Sequence, residues 1–190
     1  MYIEKETLQN VFKETDKVLT SYSLPLWQEL PDIDLYMDQV VSMLERHLEP
    51  LHETFGAEKV VTPSMINNYV KLGIIPAPVK KRYSKRHLAY LLIICTLKQT
   101  LDMATIRRII PAEISDAETQ RIYNSFVENQ SKAFLYVMEK VKSVADPIFE
   151  LESGKPERMN DLIMQVAASA NIFKILTEKI AKLSGAPEIK

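Results

Sequence analysis

Cysteine is nearly missing from this chain. Among 190 residues only Cys95 occurs, so no intramolecular disulfide can staple the fold, and a reducing cytoplasm suits the protein. Glycine is scarce as well, with four residues, and neither a glycine-rich phosphate loop nor a nucleophile elbow is present. No stretch reaches 18 consecutive apolar residues, which predicts no transmembrane helix and no membrane partner. The opening run MYIEKETLQNVFKETDK is acidic and amphipathic and lacks the apolar centre of a signal peptide. Of the three histidines, His47 and His52 are off a common helical face, and no second cysteine completes a metal set. These absences predict no metal, no cofactor and no enzyme.

Hydrophobic residues make up 46% and charged residues 26%, as in an ordinary globular protein, and long runs of helix formers predict a mostly helical fold. The net charge of -1 conceals a partition. Residues 1–58 carry 4 Lys/Arg against 12 Asp/Glu, residues 59–110 carry 10 against 1, and residues 111–190 carry 10 against 12. A block of +9 between acidic flanks suits a polyanion, because neutralised phosphates supply most non-specific nucleic-acid affinity. Pairing of that block with the acidic N-terminal segment is the competing account.

The pattern predicts an amphipathic helix over 1–22, then the loop SYSLPLWQELPD with Trp27 as its hydrophobic anchor. Asp32 or Asp34 is expected to cap a helix through Leu35, Val40, Val41, Leu44 and Leu48, which Pro50 breaks or restarts and Gly56 stops. Thr62-Pro63 begins a helix of about ten residues that Gly73 ends, since a hydroxyl cap followed by proline costs no hydrogen bond. Ile74, Ile75 and the Pro76-Ala77-Pro78 run predict an extended piece. Ser84 caps a helix of roughly fifteen residues, and Asp102 caps a short one through Ile106 and Ile110. Helical spacing then runs from Ser115 to about Ala145. A loop over Asp146-Pro147 and LESGKPER comes next, and a last helix carries a near-heptad seam of Leu162, Val166, Phe173, Leu176, Ile180 and Leu183.

Placed at 100° intervals, the Pro63–Leu72 segment divides into two faces. Met65, Ile66, Tyr69 and Leu72 are apolar; Ser64, Asn67, Asn68 and Lys71 are polar, at i, i+3, i+4 and i+7. Adjacent asparagines on an exposed helix disfavour the helix, which points to a use for them. A carboxamide matches adenine N6 and N7 in the major groove, while Ser64 and Lys71 suit phosphates at its edges. Asn67 or Asn68 bonding a neighbouring loop is the structural alternative. After this helix Lys80, Lys81 and Arg82 are expected to point to solvent with Tyr83 inward. Lys85 and Arg86 open the next helix, whose N–H groups can also meet phosphate.

The order of parts from Thr62 to Ile110, about a quarter of the chain, resembles the DNA-binding head of MerR-type (mercury-resistance-like) regulators. Gly73, Ile74, Ile75 and Pro76 match the segment just after that family's recognition helix. Arg82, Tyr83 and Ser84 match its basic wing, and Leu101, Ile106 and Ile110 its short closing helix. This chain departs in having Asn67, Asn68 and Tyr69 where the family usually has an arginine and two tyrosines, and its wing is shorter. The longer run TPSMINNYVKLGIIPAPVKKRYSKRHLAYLLIICTLKQTL, with the entry segment LPDIDLYMDQV, is similar to an uncharacterised bacterial family of domains of unknown function (number eighteen thirty-six).

The resemblance implies an all-α fold: a winged helix-turn-helix (MerR-like) head with a C-terminal long-helix hairpin or coiled coil. The expected division is an N-terminal helix and loop over 1–30, the head over 31–111 and a hairpin over 112–190 that pairs two chains. It implies a cytoplasmic, dimeric transcription regulator that binds double-stranded DNA through Ser64, Asn67, Asn68, Lys71, Lys80, Lys81, Arg82, Lys85 and Arg86, with any effector unassigned. A protein-interaction module on the same scaffold is the alternative. A ligand pocket lined by Phe126, Phe134, Phe149 and Phe173 is a third possibility, against plain core packing.

Overall fold

The computed structural model describes residues 4–55, 61–111, 114–149 and 156–183. These residues form seven α-helices and no β-strand beyond isolated bridges. The helices are α1 (Lys5–Ser21), α2 (Met37–Phe55), α3 (Pro63–Lys71), α4 (Lys85–Leu97), α5 (Met103–Ile109), α6 (Asp116–Phe149) and α7 (Pro156–Leu183). No helix among the described residues is long and apolar enough to cross a membrane.

α4 is the central post. Every residue from His87 to Cys95 is buried, so this helix is enclosed on all sides rather than facing the core with one stripe. Around it pack α2 through Val40, Leu44 and Leu48, α3 through Ile66 and Tyr69, α5 through Ile106, and the start of α6 through Tyr123 and Val127. The core begins at Leu24 and ends at Val127, so it takes in the loop before α2 and the first turns of α6. That loop is tied down at several points. The Tyr123 hydroxyl donates to the Pro25 carbonyl at 2.7 Å, and the Trp27 amide donates to Asn124 Oδ1 at 2.8 Å. Trp27 itself packs half-buried on this core, as the loop pattern predicts.

α6 spans 34 residues, about 50 Å at 1.5 Å per residue. Its first turns dock on α4, and its far end meets α1 and the start of α7 in a second apolar cluster of Leu8, Ala145 and Leu162. Phe12 and Phe149 meet edge-on there at 5.6 Å, and Lys142 donates to Asp16 at 2.7 Å. α7 then runs back along α6: Leu162 lies by Val144, and Phe173 lines the same groove as Tyr136. It also packs against α5.

Several local expectations change. α2 is capped by neither Asp32 nor Asp34. It starts at Met37, with the Tyr36 carbonyl accepting from the Val40 amide and the Tyr36 amide donating to Gln39 Oε1. Leu35 belongs instead to a β-bridge with Tyr83. Pro50 lies inside α2, which continues to Phe55. It removes the amide that would serve Arg46, and the next carbonyl, His47, is taken by the Tyr22 hydroxyl at 2.8 Å. Gly56 lies outside the described residues. α6 runs through Asp146 and Pro147 to Phe149, and α7 starts at Pro156, inside the stretch expected as loop. The piece from Ile74 to Pro78 forms no strand.

Candidate nucleic-acid interface

α3 is specified at both ends. The Thr62 hydroxyl accepts from the Met65 amide at 3.3 Å, and Pro63 occupies the first turn, where its missing N–H is harmless. At the other end Gly73 adopts φ +63. Its amide bonds the Val70 carbonyl and the Ile74 amide bonds the Tyr69 carbonyl, both at 2.9 Å, a Schellman closure that needs a left-handed residue there. The closure drops Ile74 and Ile75 into the core, so the helix cannot roll.

With Ile66 and Tyr69 inward, Ser64, Asn67, Asn68 and Lys71 are all exposed on the opposite side. None of the four side chains has a hydrogen-bond or ionic partner among the described residues. Among the described residues, Asn67 and Asn68 bond no neighbouring loop, the structural alternative for them. Leu72 departs from the expected apolar face: it is 45% exposed at the helix end, and its carbonyl accepts from Arg107 at 3.4 Å.

Beyond Gly73 the chain bends at Ile74 and Ile75 and passes through Pro76-Ala77-Pro78 to a minimal hairpin. Val79 bridges Arg82, the Arg82 amide donating to the Val79 carbonyl at 2.9 Å, with only Lys80 and Lys81 between them. Both lysines hold positive φ, 49° and 63°. Two residues at positive φ are what a type I′ loop requires, and Asn-Gly ordinarily supplies them. A lysine in this region costs about 1–2 kcal/mol against its preferred conformations. The strain is held by a bridge behind it, Leu35 with Tyr83, whose two hydrogen bonds measure 2.9 and 2.8 Å. Tyr83 is buried and meets the His87 ring edge-on at 5.5 Å, so the base of the hairpin is anchored in the core.

His87 fastens this base further. Its Nδ1 accepts from the Ser84 amide at 3.0 Å, which fixes the neutral ring with the proton on Nε2. Burial pushes its pKa below the ordinary value, against smaller opposing contributions from the Ala77 and Pro76 carbonyls and from Asp34. Cys95 lies at the other end of α4, in the core, where burial raises its thiol to about 11. It is neither exposed nor thiolate-like.

The cations from Lys80 to Arg86 divide into two groups. Lys80 and Lys81 are exposed, and neither has an ion pair or hydrogen bond among the described residues. Arg82 is exposed, and its guanidinium's partner among the described residues is neutral: it donates to the Tyr36 hydroxyl at 2.8 Å and lies 4.7 Å from that ring's centroid. Lys85 and Arg86, expected as phosphate contacts, are committed elsewhere. The Lys85 ammonium pairs with Asp32 at 2.5 Å and lies 5.7 Å from the Trp27 ring centre. Arg86 donates to the Ile114 carbonyl and sits 3.7 Å from Asp116. They tie α4 to the loop before α2 and to the entry of α6, because the first turn of a central helix has neighbours on every side. The acidic segment thus neutralises Lys85 and leaves Lys80, Lys81 and Arg82 without carboxylates among the described residues.

The four phenylalanines expected together are dispersed. Phe126 packs on the main core, Phe134 against Tyr22, and Phe149 against Phe12; Phe173 alone of the four lines the α6–α7 groove. Tyr36 is the contact that sequence patterning missed, because no helical or charge periodicity links it to Arg82.

A family model described as Domain of unknown function (DUF1836) matches residues 25–126, more than half of the chain, and the chain belongs to that family. The matched span coincides with the Leu24–Val127 core that carries α3 and the hairpin. Comparison with curated proteins and with solved structures finds no match.

Proposed function

We propose that this protein is a sequence-specific DNA-binding regulator of transcription, acting in the cytoplasm as a homodimer and without catalytic activity of its own. The carrying observation is the exposure, without internal partners among the described residues, of the α3 polar stripe together with the lysines of the short hairpin after it. In this reading α3 is the recognition helix of a MerR-like winged helix-turn-helix. Asn67 and Asn68 address base edges in the major groove, Ser64 and Lys71 address phosphates at its margins, and the 79–82 hairpin is the wing. Gly73 and Val79 are six residues apart, so the wing starts within roughly 20 Å of the helix end. Lys85 and Arg86 drop out of the contact set because they are already engaged.

The pairing of chains is supported by α7. Its heptad seam is buried at Leu162 but opens along its length, with Phe173 at 55%, Ile180 at 65% and Leu183 at 83% exposure. Tyr136 and Val137 of α6, which share a groove with Val166 and Phe173 of α7, are exposed as well, at 55% and 41%. A second copy presenting the same seam closes it with like surfaces, as a two-fold dimer requires. Such a dimer reads half-sites about 34 Å apart.

Fluorescence anisotropy on random genomic duplexes at two salt concentrations tests the reading. The intact chain is expected to bind at low salt, and alanine at Lys80, Lys81 and Arg82 together to flatten the salt slope by about three on every sequence. Absence of binding at low salt contradicts it. The second reading, a module that docks an acidic protein, draws on Val79, which is 70% exposed beside the lysines. One stoichiometric acidic partner in a pull-down, with no DNA binding, favours that reading instead.

A further inference from the structure

Tyr36 belongs to the acidic first part of the chain, yet it holds the guanidinium of the hairpin. Its backbone is fixed on both sides. Leu35 exchanges two hydrogen bonds with Tyr83, while the Tyr36 carbonyl accepts the first amide bond of α2 at 2.9 Å. In an antiparallel pair the residue after Leu35 lies opposite the residue before Tyr83, so Tyr36 and Arg82 are cross-strand neighbours. The phenol therefore stands on a fixed backbone, and Arg82 rests on it by one hydrogen bond at 2.8 Å and by its charge at 4.7 Å from the ring centre.

Neither contact cancels the charge. A guanidinium carries five N–H donors in a planar fork, and the phenol uses one of them. The remaining donors keep the geometry that matches two oxygens of one phosphate. The Tyr36 hydroxyl, having accepted from Arg82, retains its own proton to donate. Lys80 and Lys81 differ: each is a point charge on a flexible stem, giving attraction with little direction.

Resting on the DNA-binding reading, we propose that Tyr36 is a positioning residue that presents Arg82 to one backbone phosphate beside the α3 groove, and that this contact sets the register of the hairpin on the duplex. The lysines add affinity; the Tyr36–Arg82 pair adds direction. Preorganisation lowers the ordering cost that a free arginine meets on binding.

The test is a double-mutant cycle on the full chain, read by anisotropy with one duplex at fixed low salt and by melting temperature. Tyr36→Ala is expected to weaken binding about fivefold in the parent and to have no effect in the Arg82→Ala background. Its salt slope stays at the parent value, whereas Arg82→Ala lowers the slope by about one. Tyr36→Phe, which keeps the ring and removes the hydrogen bond, falls between, and Arg82→Lys loses as much as Tyr36→Ala. Equal losses in both backgrounds, or none in either, overturn the Tyr36 proposal while DNA binding stands. A parent chain that binds no duplex at low salt removes the DNA reading and this inference with it.

Discussion

Lys80 and Lys81 carry the same charge as Lys85 and Arg86, a few residues along the same basic run, yet the fold uses the two pairs in opposite ways. The first pair stands at the tip of a hairpin, strained and without partners among the described residues. The second pair is spent on Asp32 and on the Ile114 carbonyl, fastening loops to the first turn of α4. Charge density along a chain therefore measures supply. What remains for a ligand depends on which side chains the fold has already engaged.

Removing the engaged pair separates its two possible roles. Lys85→Ala with Arg86→Ala is expected to lower stability by about 2–3 kcal/mol in urea unfolding, mostly through the part-buried Arg86 bond to a carbonyl. The Lys85 pair adds little, since Asp32 is exposed. At a temperature where this variant is folded, its salt slope on DNA equals the parent's; a slope lower by two would place these side chains on phosphate after all.

A smaller effect of opposite sign sharpens the contrast at the hairpin tip. Lys80→Asn with Lys81→Gly supplies the residues that a positive-φ loop prefers, and is expected to raise stability by about 1 kcal/mol while removing about two from the salt slope. Stability and binding then move apart. A destabilised variant would show that the lysines serve the fold.

The smallest effect concerns the anchor beneath the tip. Burial holds His87 neutral, with its pKa below the ordinary 6.5, so on acidification the unfolded chain takes up the proton first. The stabilisation is complete above about pH 6.5 and is lost as pH falls toward the folded-state value. Urea midpoints at pH 7.5 and 5.5 should therefore differ less in His87→Gln than in the parent. Asp34 and Arg86 act on the same ring with opposite signs, so the comparison is best made with both intact.

Local chemistry made much of the head legible. Thr62-Pro63, Gly73 and Asp102 mark helix ends through bonds within five residues, and each behaves as its residue type dictates. The stripe of Ser64, Asn67, Asn68 and Lys71 comes from helical geometry alone. What was not legible depended on distant neighbours. Asp32 fails to cap α2 because Leu35 is drawn into a bridge with Tyr83, forty-eight residues away by number. Pro50 and Pro147 lie inside their helices without ending them, each forfeiting one amide bond that the rest of the helix outweighs. The fates of Lys85, Arg86 and Arg82 depend on Asp32, Ile114 and Tyr36, partners that no periodicity announces.

Lysine acetylation footprinting reads directly which ammonium groups are available. With a limiting reagent and mass-spectrometric readout, Lys80 and Lys81 of the free protein should react rapidly and become protected when a duplex is added. Lys85 should react slowly in both states. Unchanged labelling of Lys80 and Lys81 in saturating duplex, or Lys85 as reactive as they are in the free protein, contradicts the account.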